Sequence, residues 1–374
     1  MQIFLPALPA IQDGFDVHPA TAQLVFSLSA LAIAVGTLIY GPVSDRIGRR
    51  PTMLAGVVIY LIGSAICMFA ASITSLIIGR IIQAAGGCAG MVLSRAVVRD
   101  RYNLEQSATA IAYITMAMVA APMVAPAIGG VIADQWGWRQ VFTGAALFGV
   151  IALVIIWHGL PETRNLAAAQ TTQGGTLWSF KTLLASRTFV GFALQGMFSL
   201  AVFYSFLSAA PYVMVKVFER PASEYGLYFI IVSGSFMLGN LAAARLTKYA
   251  GVQRMVIIGS GGALLGATIA MLLMVLGYWQ PLAIFLPVAI TGFCQGLALP
   301  NSMAAVVSIR PEIAGAASGL SGFMQMAGAA VAAQIVGSIQ NGTPFPLVFG
   351  MVILAAGSFI AAIFATKQRQ PAAS

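Results

Sequence analysis

Apolar residues in this chain come in runs of about twenty, without the alternation of half-buried strands, and short polar segments separate them. Runs of that length predict helices that cross a bilayer. They fall at about 21–43, 51–71, 74–97, 107–131, 140–160, 189–212, 223–247, 255–276, 282–306, 314–338 and 345–365, with an apolar stub at 1–11 before them. A transmembrane β-barrel would instead need segments of about ten residues alternating in polarity.

Composition agrees. Hydrophobic residues make up 59% of the 374 positions and charged residues 8%, against about a quarter charged in soluble domains. The 39 glycines and 17 prolines sit largely inside apolar runs, as in packed membrane helices. Cys67, Cys88 and Cys294 all fall within such runs, show no metal-ligand spacing and read as packing residues.

The net charge of +9 would fit nucleic acid were it clustered on a polar domain. Sorted by loop, however, fifteen Lys/Arg residues lie on one side of the predicted bilayer and only Arg139, Lys216 and Arg220 on the other, while acids divide five to five. That bias places the first side in the cytoplasm and excludes a nucleic-acid partner. Trp136, Trp138, Trp157 and Trp279 fall at span ends, as an aromatic belt requires. The predicted organisation is a helical bundle over 1–160, a cytoplasmic linker over 161–187 containing Gln170–Gly175, a second bundle over 188–366 and a tail over 367–374.

The stub extends about 16 Å as a helix, half of a hydrocarbon core of about 30 Å. It reads as the second half of a helix whose first half lies upstream, through a start site further 5′ or a truncated form. Twelve spans would then divide six and six. The halves also echo each other: Gln83 placed on Gln295 brings Asp100 onto Glu312, and Gly239-Asn240 to Arg245, then Gly251 to Arg254, weakly repeats the segment Gly41–Arg50. Parallel half-repeats are common in transporters.

Three segments carry candidate chemistry. In Gly41–Pro51, Gly41 permits close helix approach, Asp45 is placed to face a helix N-terminus, and Arg46, Arg49 and Arg50 can pair with acids, Asp100 first among them. With Gly48 they read as a latch on the cytoplasmic side. Arg80 lies about two turns inside a span, where a cation costs about 2.5–3.5 kcal/mol and normally has a partner; apart from Glu224 at the very start of 223–247, no Asp or Glu falls within the predicted spans. A central water-filled cavity and an acid on the upstream half-helix would account for it; the alternative is a side chain reaching to the interface. Pro122 and Pro126 remove backbone donors, and Gly129 and Gly130 extend a smooth face.

Gly41-Pro42-Val43-Ser44-Asp45-Arg46-Ile47-Gly48-Arg49-Arg50-Pro51 resembles the loop between helices 2 and 3 of the major facilitator superfamily. Arg80-x-x-Gln83 resembles its fourth-helix motif in drug antiporters, Ala121–Gly130 its fifth-helix antiporter motif, and Phe4–Ile11 the end of helix 1 in the Bcr/CflA drug-resistance branch. The resemblance implies two six-helix bundles related by a pseudo-two-fold axis, the first helix truncated. It also implies proton-coupled export of amphipathic drugs across the inner membrane, with Arg80 and Gln83 in coupling and the Pro122–Gly130 region sealing the non-cytoplasmic side. Ala121 departs from the usual Gly, and the branch's helix-1 acid would precede Met1.

Candidate substrate-facing residues are Phe4, Tyr113, Met116, Gln195, Phe198, Tyr204, Phe206, Gln295, Asn301, Phe323 and Gln325, since aromatic, Met and amide groups adapt to varied apolar ligands. No phosphate-binding loop follows a strand, so an ion gradient is the expected energy source. No cofactor, metal or enzymatic activity is expected, and a monomer is. Two other readings stay open: the same fold exporting a nucleoside, sugar or amino acid, and an inactive truncated paralogue.

Overall fold

The computed structural model describes residues 2–101, 104–163 and 176–367. A 3-10 turn over Gln2–Ala7 leads into α1 (Leu8–Gly14). The helices α2 (Pro19–Ile47), α3 (Arg49–Met68), α4 (Ile73–Arg101), α5 (Leu104–Trp136) and α6 (Trp138–Gly159) follow. After the connector come α7 (Thr176–Ala185), α8 (Arg187–Tyr212), α9 (Ala222–Ala250), α10 (Val252–Val275), α11 (Pro281–Ser308), α12 (Ala314–Ser338) and α13 (Phe345–Thr366). Ten of the described helices are long and apolar enough to cross a membrane. The predicted spans all reappear as helices, most extended by several residues at their polar ends. Helix α7 is an addition: the sequence reading drew linker where these residues form a helix against α8 and α12.

The chain divides into two compact units, residues 1–171 with 221–226, and residues 172–220 with 227–374. In the first, α3 lies against α4 with so little between them that a Cβ on Gly63 would fall 2.7 Å from the Gly79 carbonyl oxygen and overlap the Gln83 amide. Helices meet this closely only where side chains are absent, which maximises backbone dispersion contact. The 3-10 turn packs on α5 at the same cost in side chain: a Cβ on Gly129 would overlap the Ile3 carbonyl. His18, given no role from sequence, caps α2, its Nδ1 accepting from Ala20 N–H at 3.3 Å.

In the second unit α10 and α11 repeat the α3–α4 pair. Gly48 (φ +103°) and Gly251 (φ +79°) both precede these helices in a conformation that glycine alone adopts without strain. A Cβ on Gly266 would fall 2.7 Å from Pro287 O and 2.9 Å from Thr291 N; one on Gly259 would meet Cys294 O at 2.5 Å. Gly56 makes the corresponding approach to Gly86 O, at 3.1 Å. These contacts superimpose Gly79 on Pro287, Gln83 on Thr291 and Gly86 on Cys294. The sequence pairing of Gln83 with Gln295, and with it Asp100 with Glu312, is therefore displaced by one helical turn. A four-residue slip keeps the same helix face, so residue similarity alone does not detect it.

Candidate functional site

At the α2–α3 junction, α2 ends at Gly48 and the chain reverses into α3. Arg49 is 5% exposed. Its Nε donates to Asp100 Oδ2 at 2.8 Å, and its Nη1 to Asp45 Oδ1 at 2.8 Å and Ser44 Oγ at 2.6 Å. The side chain thus ties α2, α3 and the end of α4. Arg50 pairs with no acid among the described residues; its Nη2 donates to the Trp157 carbonyl at 2.8 Å and its guanidinium lies 5.9 Å from the Trp157 ring centroid. Arg46 is exposed and makes no ion pair among the described residues. The expected close helix approach at Gly41 is not seen, since a Cβ there meets nothing within 4 Å; the Gly41 carbonyl instead accepts from Ser44 Oγ at 2.9 Å.

Sequence reasoning missed Glu162. Its carboxylate accepts from the backbone N–H of Arg49 at 2.9 Å and of Arg50 at 3.2 Å. A carboxylate at a helix start satisfies two orphan donors and opposes the helix dipole. It lies 113 positions from Arg49, beyond any local capping pattern; only the acid directly after Pro161 hinted at it.

Deeper in the same unit, Arg80 is 3% exposed. It does not reach to the interface. Its Nη1 donates to Gln83 Oε1, and Gln83 Nε2 donates to Ser64 Oγ at 2.7 Å, joining α4 to α3. The guanidinium lies 4.0 Å from the Phe4 ring centroid and 6.0 Å from that of Phe142. The aromatic rings form a column, Phe26–Phe4–Phe142–Trp138–Phe15, with centroid separations of 5.4–6.3 Å. Trp138 is accordingly buried in this column rather than placed in an interfacial belt. Arg80 Nε and Nη2 are buried without a hydrogen-bond partner, and no carboxylate pairs with this side chain among the described residues.

Of the fifth-helix segment, Pro126, Gly129 and Gly130 are buried, and α5 runs unbroken through Pro126. Gly130 faces Ala222 O, 2.7 Å from a Cβ built there. Tyr113, Met116 and Pro122 lie outside the residues whose side chains are described.

In the second unit Gln195 is fully buried. Its Nε2 donates to Ser260 Oγ (3.0 Å) and Ser358 Oγ (3.3 Å) while its Oε1 accepts from Ser302, so one amide joins α8 to α10, α11 and α13. Gln295 Nε2 donates to Ser199 O at 2.9 Å, and Asn301 Oδ1 accepts from Thr247 Oγ1 at 3.0 Å. Phe206 stacks on Phe229 and meets Phe285 edge-on; Tyr204 is buried beside Phe203. These five sit in the packed interior of their unit. Phe198, Phe323 and Gln325 keep partial exposure, Phe198 against Gly357 and Gln325 Nε2 bonding Ser321 Oγ at 3.2 Å.

The class of protein that this fold and site define is a multi-pass bundle of membrane-length helices holding a buried arginine. Residues 1–333 match the model of the Major Facilitator Superfamily, and the chain belongs to that family. A protein named bicyclomycin resistance protein homolog, from Haemophilus influenzae, is 26% identical over 371 residues, covering 98% of this chain and 92% of its own. Multidrug resistance protein D of Escherichia coli K12 is 28% identical over 339 residues, 89% of this chain and 83% of its own. Among solved structures, a bacterial homologue of the lysosomal transporter Spinster, inward-facing and unoccupied, gives a TM-score of 0.77 at 18% identity, covering 100% of this chain and 95% of that one. The xylose transporter XylE of E. coli gives 0.75 at 15% identity, covering 99% and 95%. At those identities the structures speak for the fold.

Proposed function

We propose that this chain exports amphipathic, drug-like molecules across the bacterial inner membrane by proton antiport. The observation that carries the reading is Arg80, a cation held in apolar surroundings on Phe4 and Gln83 with two donors unpartnered. A charge costs too much there for packing alone to retain it. Relatives named for bicyclomycin and multidrug resistance support drugs as cargo. Arg80 and Gln83 form the coupling site, the Arg49 cluster with Gly41, Asp45, Arg46, Gly48, Arg50 and Asp100 the cytoplasmic gate, and Pro122, Pro126, Gly129 and Gly130 the opposite seal. Transport proceeds by alternating access, in the manner of repeat-built transporters.

The test is transport. In everted vesicles from cells lacking their own efflux pumps, the wild-type chain drives ethidium uptake that collapses with the proton gradient. Arg80→Ala reaches the membrane in equal amount and abolishes that uptake. Uptake unaffected by an uncoupler would remove the proton from the scheme, and full activity of Arg80→Ala would remove Arg80.

A further inference from the structure

We propose that the second unit holds a binding site for an organic phosphate beside the start of α10. A cavity of about 550 Å3 opens there between α8, the α9–α10 turn and the end of α11. Thr188, Gln253 and Arg254 are among its polar lining, and Phe192 and Ala305 form part of an apolar side. Its volume falls within the range of small-molecule sites, about 300–1,000 Å3. The repeat shows what this place in the fold holds. In the first unit the amides of Arg49 and Arg50, at the start of α3, donate to the Glu162 carboxylate at 2.9 and 3.2 Å. With Gly48 on Gly251, their counterparts are Val252 and Gln253, and both line the cavity. No side chain caps α10, and no described residue accepts from either amide.

The second unit has no carboxylate to put there. Glu162 follows α6, which packs on α3; α13 packs on α10 in the same way, but the residues after it read Lys367-Gln368-Arg369. The sequence of the whole unit contains two acids, Glu219 and Glu312. Glu219 follows the end of α8 remote from Thr188, and Glu312 is exposed and does not line the cavity. The anion built into one copy is thus left to an external ligand in the other. Arg254 sets its charge. This side chain is exposed and makes no ion pair among the described residues. It stands in the first turn of α10, where the helix dipole opposes a cation. A bound phosphate removes that opposition and takes the guanidinium fork together with the free amides of the helix start. The Ser308 hydroxyl already donates to the Ala305 carbonyl at 2.9 Å, so it serves only as an acceptor, for a hydroxyl on the organic body. The apolar side at Phe192 and the size of the cavity favour an ester over inorganic phosphate. Two sources supply this chemistry: a soluble phosphate ester, and the headgroup of an anionic phospholipid.

The test uses the full chain in phosphatidylcholine nanodiscs, its melting followed by tryptophan fluorescence, since a ligand of the folded state raises Tm with its concentration. One arm adds glycerol 3-phosphate; the other replaces part of the lipid by phosphatidylglycerol. A rise with glycerol 3-phosphate identifies a soluble ester as a sufficient ligand, and a rise with phosphatidylglycerol alone identifies the lipid headgroup. In either arm Arg254→Gln should weaken the response about ten-fold or more, the worth of one charge-assisted contact. Gln253→Glu, which gives α10 a first-turn carboxylate of its own, should remove the response without lowering the melting temperature of the ligand-free protein. Lys181→Gln, which removes an exposed charge outside the cavity lining, should leave it intact. No response of the wild type to either probe, which requires no variant to fold, overturns the proposal. So does a response that survives in Arg254→Gln, or one that Lys181→Gln lowers as much. The measurement reads binding alone, so its failure leaves the export reading standing.

Discussion

Arg49 gives the sharpest quantitative test. Its side chain is 7% exposed and meets two carboxylates, but these are unequal: the Asp45 side chain is 55% exposed and that of Asp100 20%. An exposed i,i+4 pair such as Arg49–Asp45 is worth about 0.5 kcal/mol or less. The shielded bond to Asp100 is worth about 1.5–3 kcal/mol as a charge-assisted contact. Arg49→Ala should therefore cost about 2–3 kcal/mol, and Arg49→Lys about half as much, because an ammonium cannot serve Asp100 and Ser44 in the same fork. A unit of this size loses about 2–4 °C in Tm per kcal/mol, so Arg49→Ala should melt about 4–12 °C lower in detergent, followed by intrinsic tryptophan fluorescence. The decisive measurement is a pair of double-mutant cycles. Coupling of Arg49 to Asp100, through Asp100→Asn, should be about 1–2 kcal/mol, and coupling to Asp45, through Asp45→Asn, under about 0.5 kcal/mol. Additive Arg49/Asp100 variants, or a larger coupling to Asp45, would refute the assignment of Asp100 as the principal partner.

Glu162→Ala should lower thermal stability by about 1 kcal/mol, the worth of a lost helix cap, with Glu162→Gln intermediate; unchanged melting of both variants would show that the α3 start does not need the carboxylate. Gly63→Val and Gly266→Val should both prevent accumulation of folded protein, because the α4 and α11 backbones occupy the space a side chain would need, whereas Gly41→Ala should be neutral or stabilising by up to about 1 kcal/mol; size-exclusion profiles of detergent extracts separate these outcomes. Gln195→Leu leaves the hydroxyls of Ser260, Ser302 and Ser358 without their shared partner and should cost about 2 kcal/mol, read as a Tm shift; a rise in Tm would mean the hydroxyls rebond to their own helices.

The helices were legible because apolar run length is set by bilayer thickness, a constraint every span obeys independently of its neighbours. The Arg49–Asp100 pairing was legible for a similar reason, since few acids were available to a cluster of arginines at one side of the membrane. What escaped was whatever depends on two distant segments meeting. Glu162 and Arg49 are brought together only by α6 packing on α3, and nothing local marks their relation. The substrate-facing residues were hardest, because Gln195, Phe206 and Asn301 have the same composition whether they line a path or fill an interior. Within their own unit these three are buried, Gln195 with its amide wholly engaged.

The corrected repeat register makes the two units chemically unequal. With Gln83 on Thr291, Arg80 falls on Val288 and Asp100 on Ser308; with Gly48 on Gly251, Arg49 falls on Val252. Arg80, Asp100 and Arg49 of the first unit thus have uncharged counterparts in the second, whereas Asp45 falls on Lys248, a charge of opposite sign. The helix pair itself is preserved: the glycine approaches at Gly56 and Gly63 recur at Gly259 and Gly266. Thr291 keeps a reduced version of the Gln83 contact, donating to the Ala263 carbonyl at 3.3 Å. Backbone packing is therefore what the repeat conserves, because close helix contact fails with any added side chain. Charge is what it has let diverge, because a buried ion is costly wherever it does no work. The proposed export reading therefore assigns the ion-dependent steps to the first unit, which alone carries Arg80 and Arg49 at these positions of the repeat.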